Sequence, residues 1–229
     1  MRIRYIWTTL GTLLICTLLS TSFLGCSGKP IDESDPGALF KEAEDDLKND
    51  HYQIALEKFR SIKNKFPYSK YSTDSQLRLA DVYFMQESFG EAAIAYETFR
   101  DLHPKHEKVA YAMFRIGKSY FKDLPNTVAR DLTPGHKALD SYGDFLKRFP
   151  TAAEADEARK DVADIRKTLA EKELYIADFY LRREMYDSAK NRYSKILSLY
   201  PETEPAKSAQ TKIALIEKKQ PAGAQEQSH

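Results

Sequence analysis

One spacing occurs four times in this chain, and no other feature constrains its fold as much. Counting back from Pro104, an aromatic stands at −15 (Phe89), a small residue at −12 (Ala92), and rings at −8 (Tyr96) and −5 (Phe99). The same frame precedes Pro67 as Tyr52, Ala55, Phe59 and Ile62. It precedes Pro150 as Gly135, Ala138, Tyr142 and Phe145, and Pro201 as Tyr186, Ala189, Tyr193 and Ile196. Apolar positions three and four apart line one helix face. A proline ends such a helix because its ring cannot continue the backbone ladder. Each frame is therefore a helix and its stop. Units like this bury their apolar faces by stacking on neighbours, so the spacing predicts an all-α repeat array.

Each of these helices needs a partner, and the partner lies upstream. Twelve residues before three of the −12 alanines stands another small residue: Ala43 before Ala55, Ala80 before Ala92, Ala177 before Ala189. Helical patterns surround them, with Leu77, Leu79, Ala80, Tyr83 and Phe84 in one copy and Leu174, Ile176, Ala177, Tyr180 and Leu181 in another. Small residues let two helices approach closely, and rings fill the space between repeats. Small, aromatic, small, aromatic, proline in this order resembles the tetratricopeptide (TPR) repeat. The implied fold is an all-α TPR superhelix of four helix pairs plus a C-terminal capping helix.

The departures from regularity carry further information. Pro67 to Pro104 spans 37 residues, Pro104 to Pro150 spans 46 and Pro150 to Pro201 spans 51, against a standard repeat of about 34. In the third copy Ala138 follows Gly117 by 21 rather than 12, so nine residues are inserted within Asp123–Gly135. Such insertions project as loops. The fourth copy shows no loop composition: Ala152 to Arg183 contains neither Pro nor Gly, and Thr151 with Glu154 predicts a capping box ahead of one lengthened helix. Ala214 stands 13 beyond Pro201, as Ala80 does beyond Pro67, which makes 203–219 a lone capping helix. The array then covers 37–219, as 37–67, 72–104, 109–150, 152–201 and 203–219. Residues 220–229 form a polar tail of disordered composition.

Ahead of the array, residues 1–25 combine Arg2 and Arg4, an apolar run from Trp7 to Leu19, and small residues before Cys26. That is a secretory signal, too short for a comfortable membrane span. Phe23-Leu24-Gly25-Cys26 resembles the lipobox of bacterial lipoproteins, with Phe23 and Leu24 departing from its usual residues. The resemblance implies that Cys26 carries a covalent lipid, followed by a polar tether to residue 36. The alternative is an ordinary cleaved signal with an incidental cysteine. Two or more acyl chains anchor stably, each buried methylene contributing about 0.8 kcal/mol. Ser27 is not the aspartate that retains such lipoproteins in the inner membrane, so the resemblance places the protein on the periplasmic face of the outer membrane.

Composition removes other classes. The net charge is +1, so no global field favours nucleic acid. Both cysteines lie in the first 26 residues, so no disulfide can staple the array. No Gly-rich phosphate loop, Gly-x-Ser-x-Gly elbow or His-Glu-x-x-His is present. His103 and His106 flank a helix-stopping proline without a third ligand nearby in sequence. The chain reads as a binding scaffold rather than an enzyme, with no cofactor or metal.

In TPR arrays the first helices line the concave face. Their free positions here are Leu77, Asp81 and Phe84, then Tyr111, Phe114, Lys118 and Phe121, then Leu174, Asp178 and Leu181. Two readings stand: an apolar groove with a few charges suited to an extended or helical peptide, or rings packed against neighbouring helices. Asp81 and Asp178 have the wrong sign for the clamp that chaperone-binding TPR domains build at these positions.

Lipobox, short tether, 37-residue repeats, an insertion ending Arg130-Asp131-Leu132-Thr133 and a lengthened fourth-repeat helix together resemble the TPR lipoproteins of the outer-membrane β-barrel assembly machinery. Lys65-Phe-Pro-Tyr-Ser-Lys-Tyr-Ser72, Glu173-Leu-Tyr-Ile-Ala-Asp-Phe-Tyr180 and Ala189-Lys-Asn-Arg-Tyr193 support the likeness, which covers residues 26 to about 219. It implies a non-catalytic role in folding outer-membrane barrels. The N-terminal repeats, with Tyr68, Tyr71 and Ser72 in the turn after Pro67, would engage peptides of unfolded outer-membrane proteins. The C-terminal repeats would dock on the periplasmic domains of the barrel subunit BamA through Arg192, beside other assembly lipoproteins. Arg192 also reads plainly as a solvated residue on a second helix. The runner-up is another outer-membrane-anchored TPR scaffold, associated with Tol–Pal or the cell wall.

Overall fold

A computed structural model describes residues 34–219. The expected signal peptide, Cys26 with most of its tether, and the polar tail lie outside the described residues. Nine helices follow one another among the described residues: α1 (Pro36–Lys48), α2 (Tyr52–Lys65), α3 (Lys70–Met85), α4 (Phe89–Leu102), α5 (Val109–Lys122), α6 (Thr133–Arg148), α7 (Ala155–Arg182), α8 (Tyr186–Leu199) and α9 (Glu204–Lys219). Each packs on its successor, and alternate helices also touch: α1 with α3, α5 with α7, and α7 with α9, while a hydrogen bond from Tyr111 to Asp81 links α5 to α3. The chain is all-α.

The small residues set the closeness of each pair. Ala43 and Ala55, Ala80 and Ala92, and Ala177 and Ala189 are all fully buried. At Gly117 a Cβ would stand only 2.6 Å from the Tyr142 ring. No side chain fits there without displacing that ring, so glycine is required by contact rather than by backbone angle.

The prolines act one residue ahead of themselves. Phe66, His103, Phe149 and Tyr200 each precede a proline and each close the second helix of a pair. Their φ lies between −127° and −135° and their ψ between 46° and 60°. A residue before proline is barred from the α region by the ring's Cδ. Each of the four still donates its N–H to the carbonyl four residues back, at 2.8–2.9 Å. The first helices of pairs one, two and four end differently, on Asp50, Glu87 and Glu184 at φ 58–61°. These stand at the same register, seven residues after Ala43, Ala80 and Ala177. The third pair has the inserted loop there instead.

Two details differ from the sequence-based expectation. The irregular part of the insertion is 123–132, because α6 already starts at Thr133 and takes Pro134 into its first turn, where proline is tolerated. Asp131 accepts bonds from the Thr133 N–H (3.0 Å) and hydroxyl (2.8 Å), while Leu132 is buried. The capping box of Thr151 and Glu154 does not form. Helix α7 begins at Ala155, and Glu154 makes no side-chain cap bond. After Pro150 the chain makes two tight turns, Ala152 N–H to Phe149 O (3.2 Å) and Ala155 N–H to Ala152 O (3.0 Å). Ala152 packs on the core, and Arg159 binds the Pro150 carbonyl at 2.8 Å, which delays the helix.

Two apolar clusters make the core. One joins α1, α2 and the Leu79–Val82 side of α3; the other runs from Leu77 and Ala80 of α3 through to Ile216 of α9. Helix α3 thus faces two ways. No helix among the described residues is long and apolar enough to cross a membrane.

Candidate functional site

The inner helices, α1, α3, α5, α7 and α9, carry a polar ladder built from a repeated register. One residue after the small residue of each of the first four stands Glu44, Asp81, Lys118 or Asp178. Two residues before it stands Arg78, Arg115, Tyr175 or Lys212 in the helices from α3 on. The acid of one repeat meets the cation of the next: Arg78 Nε lies 2.6 Å from Glu44, and Lys212 Nζ lies 2.7 Å from both oxygens of Asp178.

A tyrosine of the second helix completes each acid from the second repeat on. The Tyr96 hydroxyl donates to Asp81 Oδ1 at 2.5 Å, and the Tyr193 hydroxyl donates to Asp178 Oδ1 at 2.6 Å. In both repeats the tyrosine follows its aspartate by fifteen residues. The first repeat has Phe59 at this place, so no tyrosine reaches Glu44 there. In the third repeat Lys118 occupies the aspartate's position, and the N-terminal half of the long α7 supplies the missing acid. Asp161 there accepts the Tyr142 hydroxyl at 2.6 Å and Lys118 Nζ at 2.8 Å. Lys118 also reaches Glu157 at 2.7 Å.

The densest rung surrounds Asp81. Its side chain is 2% exposed and receives Tyr96, the Tyr111 hydroxyl at 2.8 Å and Arg78 Nη1 at 2.9 Å. Arg115 donates to the Tyr96 hydroxyl at 3.1 Å and lies 3.6 Å over the centre of the Phe84 ring. Burial, then the neighbouring Asp81 charge, pushes the Tyr111 phenol up to about 12 and raises Tyr96 further. Both therefore stay protonated donors. A buried carboxylate with this many donors is a fixed element of the face.

Of the residues singled out in the sequence, the structure brings Asp81, Phe84 and Tyr111 together around this rung. Leu77 belongs to the buried core beside them, and Phe114 is buried against Tyr142 and Phe145, with ring centres 5.9 and 5.8 Å away. Tyr71 and Ser72 stand nearer the start of α3, about 15 Å from Asp81 by helical rise. Ser72 is buried. Tyr71 is half-buried against Phe40 (5.4 Å) beneath the Lys70 ammonium (5.0 Å). Tyr68, in the turn, is fully exposed. Exposed or half-exposed rings thus occur at Tyr68, Tyr71, Phe84 and Tyr111, and the groove is filled at Leu77, Asp81 and Phe114.

Arg192 lies elsewhere, on α8. Its Nη1 binds Glu173 Oε2 at 2.9 Å, while Lys195 Nζ binds the other oxygen at 2.5 Å. Burial pushes the Glu173 carboxyl up, but the hydrogen bonds from Lys195 and Arg192 outweigh it and hold the group below its ordinary value. Arg192 remains 38% exposed. One acid between two cations leaves a net positive cluster with free guanidinium donors, suited to a partner's carboxylate.

His103 binds Gln76 Oε1 at 3.3 Å. No group of three metal-ligating side chains occurs among the described residues. Sequence reasoning misses the tyrosine hydroxyls, Arg115, Lys212 and Asp161. The fifteen-residue aspartate–tyrosine spacing could have revealed two of the rungs. Asp161 has no such signal, because it substitutes from outside the repeat register.

Helix pairs closed by pre-proline residues, stacked through small-residue contacts and lined by a repeated polar ladder, define a TPR-type scaffold. The model of a family described as outer membrane lipoprotein, YfiO, matches residues 32–228, and the chain belongs to that family. It is similar to the outer membrane protein assembly factor BamD of Vibrio cholerae serotype O1, 31% identical over 213 residues, covering 88% of this chain and 86% of that one. The BamD of Neisseria gonorrhoeae is 29% identical over 174 residues, covering 72% and 65%. That of Caulobacter vibrioides is 26% identical over 196 residues, covering 83% and 64%. Among solved structures, a thermophilic TPR protein of Thermus thermophilus aligns with a TM-score of 0.42 and 16% identity, covering 80% of this chain and 98% of that one. The chain is thus an outer-membrane lipoprotein homologous to BamD, in a family of assembly factors rather than enzymes.

Proposed function

We propose that this lipoprotein is a non-catalytic periplasmic scaffold for assembling β-barrel proteins into the outer membrane. The observation that carries this reading is the 31% identity to an outer membrane protein assembly factor across 88% of the chain. Cys26 bears the lipid that holds the array at the membrane. The exposed ring of Tyr68 and the half-exposed rings of Tyr71, Phe84 and Tyr111, in the N-terminal repeats, bind segments of unfolded outer-membrane proteins. Ser72, Leu77, Asp81 and Phe114 act beneath them as the floor. Aromatic side chains at the surface suit the alternating apolar side chains of a barrel strand.

At the other end, Arg192 docks the periplasmic domains of BamA, near other assembly lipoproteins. Three measurements test the reading. Depletion should lower the level of folded outer-membrane barrels; normal barrels with septation defects would favour the Tol–Pal alternative instead. Arg192→Glu should lower BamA co-purification about ten-fold or more, and unchanged recovery would remove Arg192 from the interface. Cys26→Ala should release the protein into the soluble periplasmic fraction.

A further inference from the structure

The same side of each inner helix normally rests on the preceding repeat, and the residues that occupy it show this directly. Three residues along this side, at the same register, are Ser75, Arg78 and Val82 in α3, and Ala112, Arg115 and Ser119 in α5. In α9 they are Ala209, Lys212 and Ile216. The outer two of each trio are buried, and the middle cation reaches back to the preceding rung. In α7 the corresponding residues are Lys172, Tyr175 and Phe179. Tyr175 is 51% exposed and Phe179 44% exposed.

The cause is the lengthening of α7. Its N-terminal half, through Ala155, Ala158, Ile165 and Leu169, takes the place against the preceding repeat, so its C-terminal half has no helix behind it. The inserted loop reaches only the near end of this face, where Lys172 Nζ binds the Ala129 and Arg130 carbonyls at 3.2 and 3.1 Å. Beneath the loop is a cavity of about 380 Å³, walled by Phe121, Leu124, Pro125 and Val128 on one side and Thr168 and Glu171 of α7 on the other. Thr168, Lys172, Tyr175, Phe179 and Arg182 fall on one stripe at helical spacing. The cavity and the two bare rings therefore lie along one side of α7, with Lys172 between them.

Its rim is positive. Arg130, Arg182 and Arg183 are exposed, and none of them forms an ion pair among the described residues. Arg183 lies over the Phe179 ring at 5.4 Å. Of the acids near it, Glu171 lies 3.9 Å from Lys167, Asp131 accepts the Thr133 hydroxyl at 2.8 Å and Asp178 holds Lys212 at 2.7 Å, which leaves Glu184, next in sequence to Arg183, against three arginines. An occupant must supply apolar side chains for the rings and cavity, and carboxylates for the arginines. Residues 220–229 of this chain carry one acid and no large apolar side chain. Helix α1, where the described residues begin, packs on α2 and α3.

We propose that this face of α7, with the cavity under the inserted loop, docks an acidic amphipathic segment of another protein. It takes the position that a preceding helix pair occupies in the other repeats. This face lies across α7 from the Glu173–Arg192 cluster, and its test is separate from that of Arg192.

A photoreactive amino acid placed at 175 or 179 of the full-length lipidated protein, with the exposed position 94 of α4 as control, tests this in cells. The expected result is one partner segment captured from both positions and not from 94, with acids and apolar residues at helical spacing. Arg182→Glu with Arg183→Glu should lower that adduct about ten-fold or more, and changing the segment's acids to lysine should restore it. The native protein's affinity for a synthetic copy of the mapped segment should fall as salt rises from about 50 to 500 mM, which reads the charge contribution without any variant. Adducts no stronger than at 94, adducts to a second copy or to residues 26–33 or 220–229, or an adduct indifferent to both charge reversal and salt would overturn the proposal.

Discussion

Asp81 and Asp178 occupy the same register in their repeats, receive the same kind of tyrosine fifteen residues later, and sit in different environments. Asp81 is 2% exposed and collects two tyrosines and an arginine. Asp178 is 30% exposed and has one tyrosine and one lysine. The difference comes from the next inner helix. Helix α5 lays Tyr111 and Arg115 over the second rung, whereas α9 brings only Lys212 to the fourth, and no further repeat covers α9 among the described residues. One sequence element thus makes a sealed rung in the middle of the array and an open one near its end.

Removing the acids should break the two sites unequally. Asp81→Ala leaves the buried Tyr96 hydroxyl without its acceptor, takes the same acceptor from Tyr111 and leaves Arg78 with Glu44 alone, and should cost about 3–5 kcal/mol. Asp178→Ala releases the partly exposed Lys212 and takes one acceptor from Tyr193, and should cost about 1–2 kcal/mol. Urea unfolding of the two variants reads the contrast directly; equal losses would mean that burial does not distinguish the rungs.

The tyrosine hydroxyls give a finer comparison. Tyr96→Phe removes a bond to a buried charge and should cost about 1.5–3 kcal/mol. Tyr193→Phe, beside a wetter carboxylate, should cost less than about 1 kcal/mol by the same unfolding assay.

The smallest effect is in pH. A phenol raised in the folded state contributes stability that is complete below its ordinary value of 10.0 and is lost as pH rises toward the folded value of about 12 at Tyr111. Thermal melts between those values should show the wild type losing stability more steeply than Tyr111→Phe. The Tyr193→Phe variant should retain the wild-type slope contributed by Tyr111. Parallel curves for wild type and Tyr111→Phe would show that this phenol does not contribute.

Much of this architecture is legible in the residue order because it rests on local rules. Pre-proline Phe66, His103, Phe149 and Tyr200 end helices by a steric effect confined to two residues. The alanine pairs twelve apart report helix contact because each pair is a single short hairpin. The limits appear where partners come from afar. Tyr111 and Phe114 read as equivalent groove candidates, yet Tyr111 reaches Asp81 and stays half-exposed while Phe114 is sealed beneath α6. The capping box at Thr151 satisfies a sequence pattern but is displaced by Ala152 docking on the core. Asp161 serves the third rung from a segment that the repeat register skips.

What the sequence determined by itself is the repeat: where helices stop, which faces are apolar, and that the third and fourth copies carry an extra loop and extra turns. These follow from backbone sterics and from hydrophobic period, both of which act within one helix pair. What only the tertiary structure decided is exposure. Whether a tyrosine becomes a buried donor to Asp81 or a bare ring at 175 depends on which helix arrives behind it, and in α7 the added turns leave none.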